Sequence, residues 1–260
     1  MNMGIGITEI MVIAGLVLVL FGPKELPHMF RDIARIFAKL KLYSDKIKRE
    51  LDEAIKLEEP SVPYENETEK KKKNLRAQYR SNTEKLTAQE KIEKSDAIWK
   101  HCITTPEYQN AKTVMIYVSI GDEVATRTRI VEMLYEGKRV IIPFYKALTN
   151  ELGIAEIKDF EKDLADGAFG IPEPVEILRN NFFKSDLQLI LCPAVAFDIY
   201  GSRLGRGKGF YDMFLKEIKG RVSIFGFGYD CQIYQQNLPF DYHDVTMDQI
   251  ITESGLILKK

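Results

Sequence analysis

The stretch LQLILCPAVAFDIYGSRLGRGKGFYDMFLKEI, residues 187–218, carries the reading of the fold. It opens on Leu187 to Cys192, a short apolar run of the kind expected from a strand covered on both faces. It closes on Phe210 to Ile218, where apolar and charged residues recur at helical spacing. Between them the alternating glycines Gly205, Gly207 and Gly209 are interleaved with Arg203, Arg206 and Lys208. Glycines let backbone N–H groups approach an anion closely, a following helix N-terminus adds its dipole, and the bases supply charge. This is a phosphate cradle on physical grounds. It is neither a Walker A loop, because Gly rather than Ser or Thr follows Lys208, nor a Gly-x-Gly-x-x-Gly turn. The alternative is a solvated basic loop, and the placement after a strand argues against it.

Outward from this stretch the same alternation continues. Thr113–Ser119, Arg139–Pro143 and Val222–Gly226 read as buried strands, and Ala88–Cys102 and Thr126–Tyr135 as helices. Strand and helix in alternation over residues 70–260 predict an α/β domain with a largely parallel sheet. Composition agrees: a chain of 260 residues, 45% hydrophobic and 29% charged, can bury a real core and is not a disordered tail. Its 37 basic and 38 acidic side chains nearly cancel, so no global field draws it to nucleic acid. Cys102, Cys192 and Cys231 are odd in number and far apart, which excludes a disulfide framework and a Cys-x-x-Cys metal site.

The amino-terminal end differs. Ile10 to Phe21 reads IMVIAGLVLVLF without a charge, and it extends upstream to Ile5 only by including Glu9. The expectation is a short transmembrane helix over residues 5–21. No base precedes the run and no small-residue cleavage pattern follows it, so a removable signal is not expected. Lys24, Arg31, Arg35, Lys39 and Lys41 all come afterwards, which places the amino terminus outside and the rest in the cytoplasm, on a single-pass chain of the cytoplasmic membrane. Gly22-Pro23 makes a hinge, and Leu26, Phe30, Ile33, Phe37, Leu40, Ile47, Leu51 and Ile55 give residues 26–57 an apolar face suited to the headgroup plane of membrane lipid. An amphipathic helix packed on a globular domain is the alternative. Residues 58–69, with Pro60 and Pro63 among acidic and polar neighbours, read as a linker.

A short apolar helix with an early Glu9, then Phe21-Gly22-Pro23-Lys24-x-Leu26-Pro27, then a long amphipathic helix, resembles the TatA/TatB components of the twin-arginine protein translocase over residues 3–57. That resemblance implies association with other translocase subunits. From residue 70 onward a second resemblance holds. Pro193 to Asp198, Gly201 to Asp212, Leu238-Pro-x-x-x-His243-Asp244 and Ile251-Thr-Glu253 are similar to 5-formyltetrahydrofolate cyclo-ligase, also called methenyltetrahydrofolate synthetase. It implies ATP-dependent conversion of 5-formyltetrahydrofolate to 5,10-methenyltetrahydrofolate, ADP and phosphate, with Mg²⁺. The formyl oxygen would attack the γ-phosphate, and N10 would close on the activated carbon as phosphate leaves.

Position by position, the resemblance implies ATP phosphates at Lys72 and Arg76, although Lys70 to Lys73 read alone is a solvated charge run. It implies an ATP loop over Arg203, Leu204, Gly205, Arg206, Gly207, Lys208, Gly209, Phe210 and Tyr211, with Arg206 to Phe210 also facing folate. Arg206 and Lys208 would stabilise the transferring phosphoryl group. Val118 and Glu123 would contact the pterin, though Glu123 alone reads as an acidic helix-start residue. Asp212 and Asp244 would be the Mg²⁺ carboxylates, though an Asp in a first helical turn is commonly a cap. His101 and His243 are read as structural or peripheral.

Overall fold

In the computed structural model, residues 67–179, 181–241 and 244–258 are described, and all of them fall in one compact unit. The expected span, the amphipathic helix, the linker up to residue 66, and His243 lie outside the described residues. Among the described residues no helix is long and apolar enough to cross a membrane.

The longer helices are α1 (Glu67–Glu84), α2 (Ala88–Ile103), α4 (Arg127–Tyr135) and α5 (Phe210–Ile218), with a short α3 (Pro106–Asn110). Among the described residues there are twelve strands, β1 (Thr113–Ile116), β2 (Arg139–Lys146), β3 (Glu151–Ile157), β4 (Leu164–Asp166), β5 (Pro172–Pro174), β6 (Leu189–Pro193), β7 (Ala196–Asp198), β8 (Arg203–Leu204), β9 (Ser223–Phe227), β10 (Ile233–Tyr234), β11 (Gln249–Thr252) and β12 (Gly255–Leu258). Seven form the main sheet in the order β12-β11-β9-β6-β1-β2-β3. The five inner strands pair in parallel, and only the edges β3 and β12 run antiparallel. The expected largely parallel α/β sheet is therefore present.

Both faces of the sheet are covered, which is why its inner strands read as continuous apolar runs. Val114 and Ile116 of β1 join one core with Ile98 and Trp99 of α2 and Ile130 and Met133 of α4. Met115, between them, joins the opposite core with Phe214, Leu215 and Ile218 of α5. Gly226 in β9 is required by packing: a Cβ there would lie 2.4 Å from the buried Phe197 ring. Helix α2 starts on a capping box, Thr87 and Glu90 each satisfying the other's backbone N–H.

Helix α1 corrects two expectations. It begins at Glu67, so the last three residues of the expected linker are helical; Glu67 and Glu69 in its first turn suit the positive end of the helix dipole. Nor is the lysine run uniformly solvated. Lys72 is buried, on the same side of α1 as Leu75 and Tyr79, which pack against Val195, Ala196, Leu204 and Leu238. A helix with so little apolar content gives only a weak periodic signal, which hid it in the sequence.

Candidate functional site

In an open parallel sheet, ligands bind where consecutive connections leave in opposite directions from adjacent strands. Here that point lies between β1 and β6, since β2 lies on one side of the pair and β9 on the other. Tyr117 and Val118, just after β1, and Pro193 and Ala194, at the end of β6, line a cleft of about 490 Å³.

Its polar side is the segment expected to cradle phosphate. The loop does not run directly from β6 to α5 as the sequence reading implied, because β7 and β8 intervene and pair with each other. Leu204 thereby becomes core, packed with Leu75, Tyr79 and Val195, at the edge of the cleft. Asp198, fully buried at the end of β7, accepts from the backbone N–H groups of Tyr200 at 2.9 Å and Ser202 at 2.8 Å through Oδ1. Its Oδ2 accepts from Leu238 N at 2.9 Å. Gly207 adopts φ 101°, a backbone conformation that favours glycine, while a Cβ there would make only ordinary contact with the Arg76 guanidinium at 3.5 Å. Arg76 donates from Nε to Gly205 O at 3.0 Å, so α1 is bound to the loop. Gly209, at φ 69°, precedes α5 without a side-chain cap, leaving the first amides of that helix for an anion.

The loop's cations are not equivalent. Lys208 is exposed and has no ion pair or hydrogen bond among the described residues. Arg206 donates to Glu123 Oε1 at 2.7 Å. Arg203 also lines the cleft, but it is buried over the Tyr211 ring with NH2 2.8 Å from Asp212 Oδ2, so the charge it brings there is already paired. A guanidinium buried in this way needs a carboxylate beside it. Asp212 is accordingly not a helix cap; its Oδ1, Arg203 Nε and Tyr211 Oη are buried with no partner among the described residues.

Lys72 is also committed, its Nζ lying 2.6 Å from Asp241 Oδ2 and 2.8 Å from Asp244 Oδ2. Burial pulls its pKa down, but the two carboxylates outweigh burial and hold the ammonium above its ordinary value. Asp244 and Asp212 line the same cleft, and no cluster of three metal-ligating side chains occurs among the described residues.

The other side of the cleft is apolar and aromatic. Tyr145 of β2 lies between Phe210, at 5.2 Å between ring centroids, and Phe169, at 5.4 Å. Val118 and Glu123 both line the cleft, and Glu123 does not start a helix, since α4 begins at Arg127. It sits in a turn, its Oε2 accepting from Ile120 N at 3.1 Å. Burial raises its carboxyl pKa, against the opposing pull of Arg206. A raised acid pKa means that the folded state binds the extra proton, so this contribution to stability is complete below the ordinary value of 4.5 and fades as pH rises through the folded value. In melts from about pH 4 to about pH 8, the Tm of Glu123→Gln should therefore gain on the wild type as pH rises. A gap independent of pH would refute this.

Sequence reasoning missed Tyr145, Phe169, Glu173 and Asp241, all of which line the cleft. They come from strand β2, from the turn and the second strand of the β4–β5 hairpin, and from a loop far along the chain, and no local spacing marks them. His101 and Glu253 are not among the lining residues: Glu253 accepts from Asp230 N at 2.8 Å, and His101 Nε2 lies 3.3 Å from its carbonyl.

Residues 68–253 match the model of the 5-formyltetrahydrofolate cyclo-ligase family, and residues 3–50 match that of the mttA/Hcf106 family. The mouse protein named 5-formyltetrahydrofolate cyclo-ligase is 32% identical over 194 residues, covering 71% of this chain and 94% of its own. Its namesake from Haemophilus influenzae is 29% identical, covering 70% of this chain and 97% of its own. The solved structure of Aquifex aeolicus 5,10-methenyltetrahydrofolate synthetase superposes with a TM-score of 0.64 at 33% identity, over 73% of this chain and 93% of that one. With the switch-point cleft and its glycine loop inside the matched segment, the chain belongs to the 5-formyltetrahydrofolate cyclo-ligase family of enzymes.

Proposed function

We propose that the cleft converts 5-formyltetrahydrofolate to 5,10-methenyltetrahydrofolate at the expense of ATP, releasing ADP and phosphate. The observation that carries this reading is the union, in one cleft, of an aromatic wall of Phe169, Tyr145 and Phe210 with a glycine loop bearing the unpaired Lys208. The wall suits the flat rings of a folate, and Glu123 beside Val118 offers a carboxylate to pterin N–H groups. The loop amides, Arg76 and Lys208 suit the phosphates of ATP. Phosphoryl transfer asks chiefly for positioning and for cations around the γ-phosphate. As the formyl oxygen takes up that group, Lys208 and Arg206 meet the developing charge, and the wall holds N10 close to the carbon on which it must close. A covalent nucleophile on the protein is not needed.

The residues fit Mg²⁺: Asp212 has a buried oxygen without a partner, and Asp244 lines the same space. Asp212 and Asp244 would hold the ion, since Mg²⁺ is commonly bound through only one or two carboxylates together with substrate phosphates. When bound, it offsets phosphate charge. The test of the whole reading is to mix the purified full-length chain with 5-formyltetrahydrofolate and ATP and follow methenyl absorbance. No growth in absorbance would overturn it.

We further infer that residues 1–57 tether the enzyme to membrane lipid, with the amino terminus outside and the enzyme in the cytoplasm. The match of residues 3–50 to the mttA/Hcf106 family and the bases confined to one side of the apolar run support this. The match also favours a second reading, a twin-arginine translocase component carrying a fused enzyme and associating with other subunits of that machinery. Carbonate washing should leave the chain in the membrane, and protease outside spheroplasts should spare the enzyme domain; release by carbonate would refute the span.

A further inference from the structure

We propose that Tyr229 and Ser95 are positioning residues for Glu123, fixing the carboxylate that meets the substrate without touching the substrate themselves. The inference rests on the reading of Glu123 as a folate contact. Glu123 lies in a turn between β1 and α4, where no ladder holds the backbone, yet its partly buried carboxylate has to keep one place beside Arg206.

The holding bonds come from elsewhere in the fold. Tyr229, fully buried after β9, has its hydroxyl 3.3 Å from Glu123 O and 3.1 Å from Ser95 Oγ of α2. Ser95, itself buried, accepts from Ala125 N at 3.0 Å. Counting protons makes the chain directional. A carbonyl only accepts, so the single Tyr229 hydrogen goes to Glu123 O. Ser95 must then donate its own hydrogen to Tyr229 Oη while it accepts from Ala125 N–H. The run Ala125 N–H to Ser95, Ser95 to Tyr229, and Tyr229 to Glu123 O satisfies every member, and it pins the peptide groups on both sides of Val124. Neither Tyr229 nor Ser95 lines the cleft, so any effect on substrate has to pass through Glu123.

The test uses the full-length enzyme and a double-mutant cycle. Tyr229→Phe keeps the ring and removes the hydroxyl. It should raise KM for 5-formyltetrahydrofolate about tenfold while leaving KM for ATP unchanged, because misplacing one binding group by a fraction of an ångström acts on that partner alone. Ser95→Ala, which breaks the same chain from the other end, should do likewise, so the inference stays testable if one variant folds poorly. In the Glu123→Gln background, Tyr229→Phe should add no further rise, since residues acting through one group are not additive. Two independent, additive effects, or equal rises in both KM values, would mark a merely structural role and overturn the inference. A raised folate KM in Glu123→Gln with a normal one in Tyr229→Phe and Ser95→Ala would also overturn it, with the Glu123 contact intact. A normal folate KM in Glu123→Gln would instead bring down the contact on which it rests.

Discussion

Lys208→Ala should lower turnover about a hundredfold, the usual consequence of removing a cation that meets charge developing in the transition state. Its melting temperature should not move, because the side chain is exposed and makes no ion pair or hydrogen bond among the described residues. The contrast with Arg203 sharpens the test. Arg203 is buried against Asp212, so Arg203→Ala strands a carboxylate in the interior and should unfold the protein more readily. Steady-state rates at saturating ATP and folate, with thermal melts of both variants, check the pair. Near-normal turnover in Lys208→Ala would return the loop to a solvated basic turn.

Asp198→Ala should cost about 3–5 kcal/mol of stability, because it leaves the amides of Tyr200, Ser202 and Leu238 without their acceptor, at about 1–3 kcal/mol for each one left unsatisfied. Asp198→Asn should cost less. It keeps one oxygen for Tyr200 and Ser202 but turns an NH₂ group toward Leu238 N–H, donor against donor. Chemical denaturation of both variants gives the comparison. A cost below about 1 kcal/mol for Asp198→Ala would mean that water replaces the carboxylate, and that Asp198 does not anchor the glycine loop to the segment at Leu238.

The outcome for the loop shows how far local patterns reach. Gly205, Gly207 and Gly209, the bases among them and the helix from Phe210 to Ile218 are all local features, each dictated by backbone freedom or by side-chain periodicity. So were four of the five inner strands, those at Thr113, Arg139, Leu187 and Val222, found within two residues of their observed starts because strands buried on both faces must be apolar throughout; the fifth, β11, is only four residues long and opens on Gln249. The antiparallel edges β3 and β12 lacked that signal, since an edge strand has fewer neighbours and tolerates charge and glycine.

Which charges remain free was settled by tertiary structure alone. Arg203, Arg206 and Lys208 alternate with glycines in sequence, yet one is buried on Asp212, one is paired with Glu123 and one is open. Lys72 looked like any lysine of its run until α1 docked and set it between Asp241 and Asp244. The sequence by itself determined the parallel sheet, the glycine loop, the family resemblance and the apolar amino-terminal run, because each is written in neighbouring residues. The aromatic wall, the partner of each cation and the clamp on Glu123 depend on residues brought together from distant parts of the chain. Pairing and burial at those contacts follow from how the layers stack, and no spacing along the chain records it.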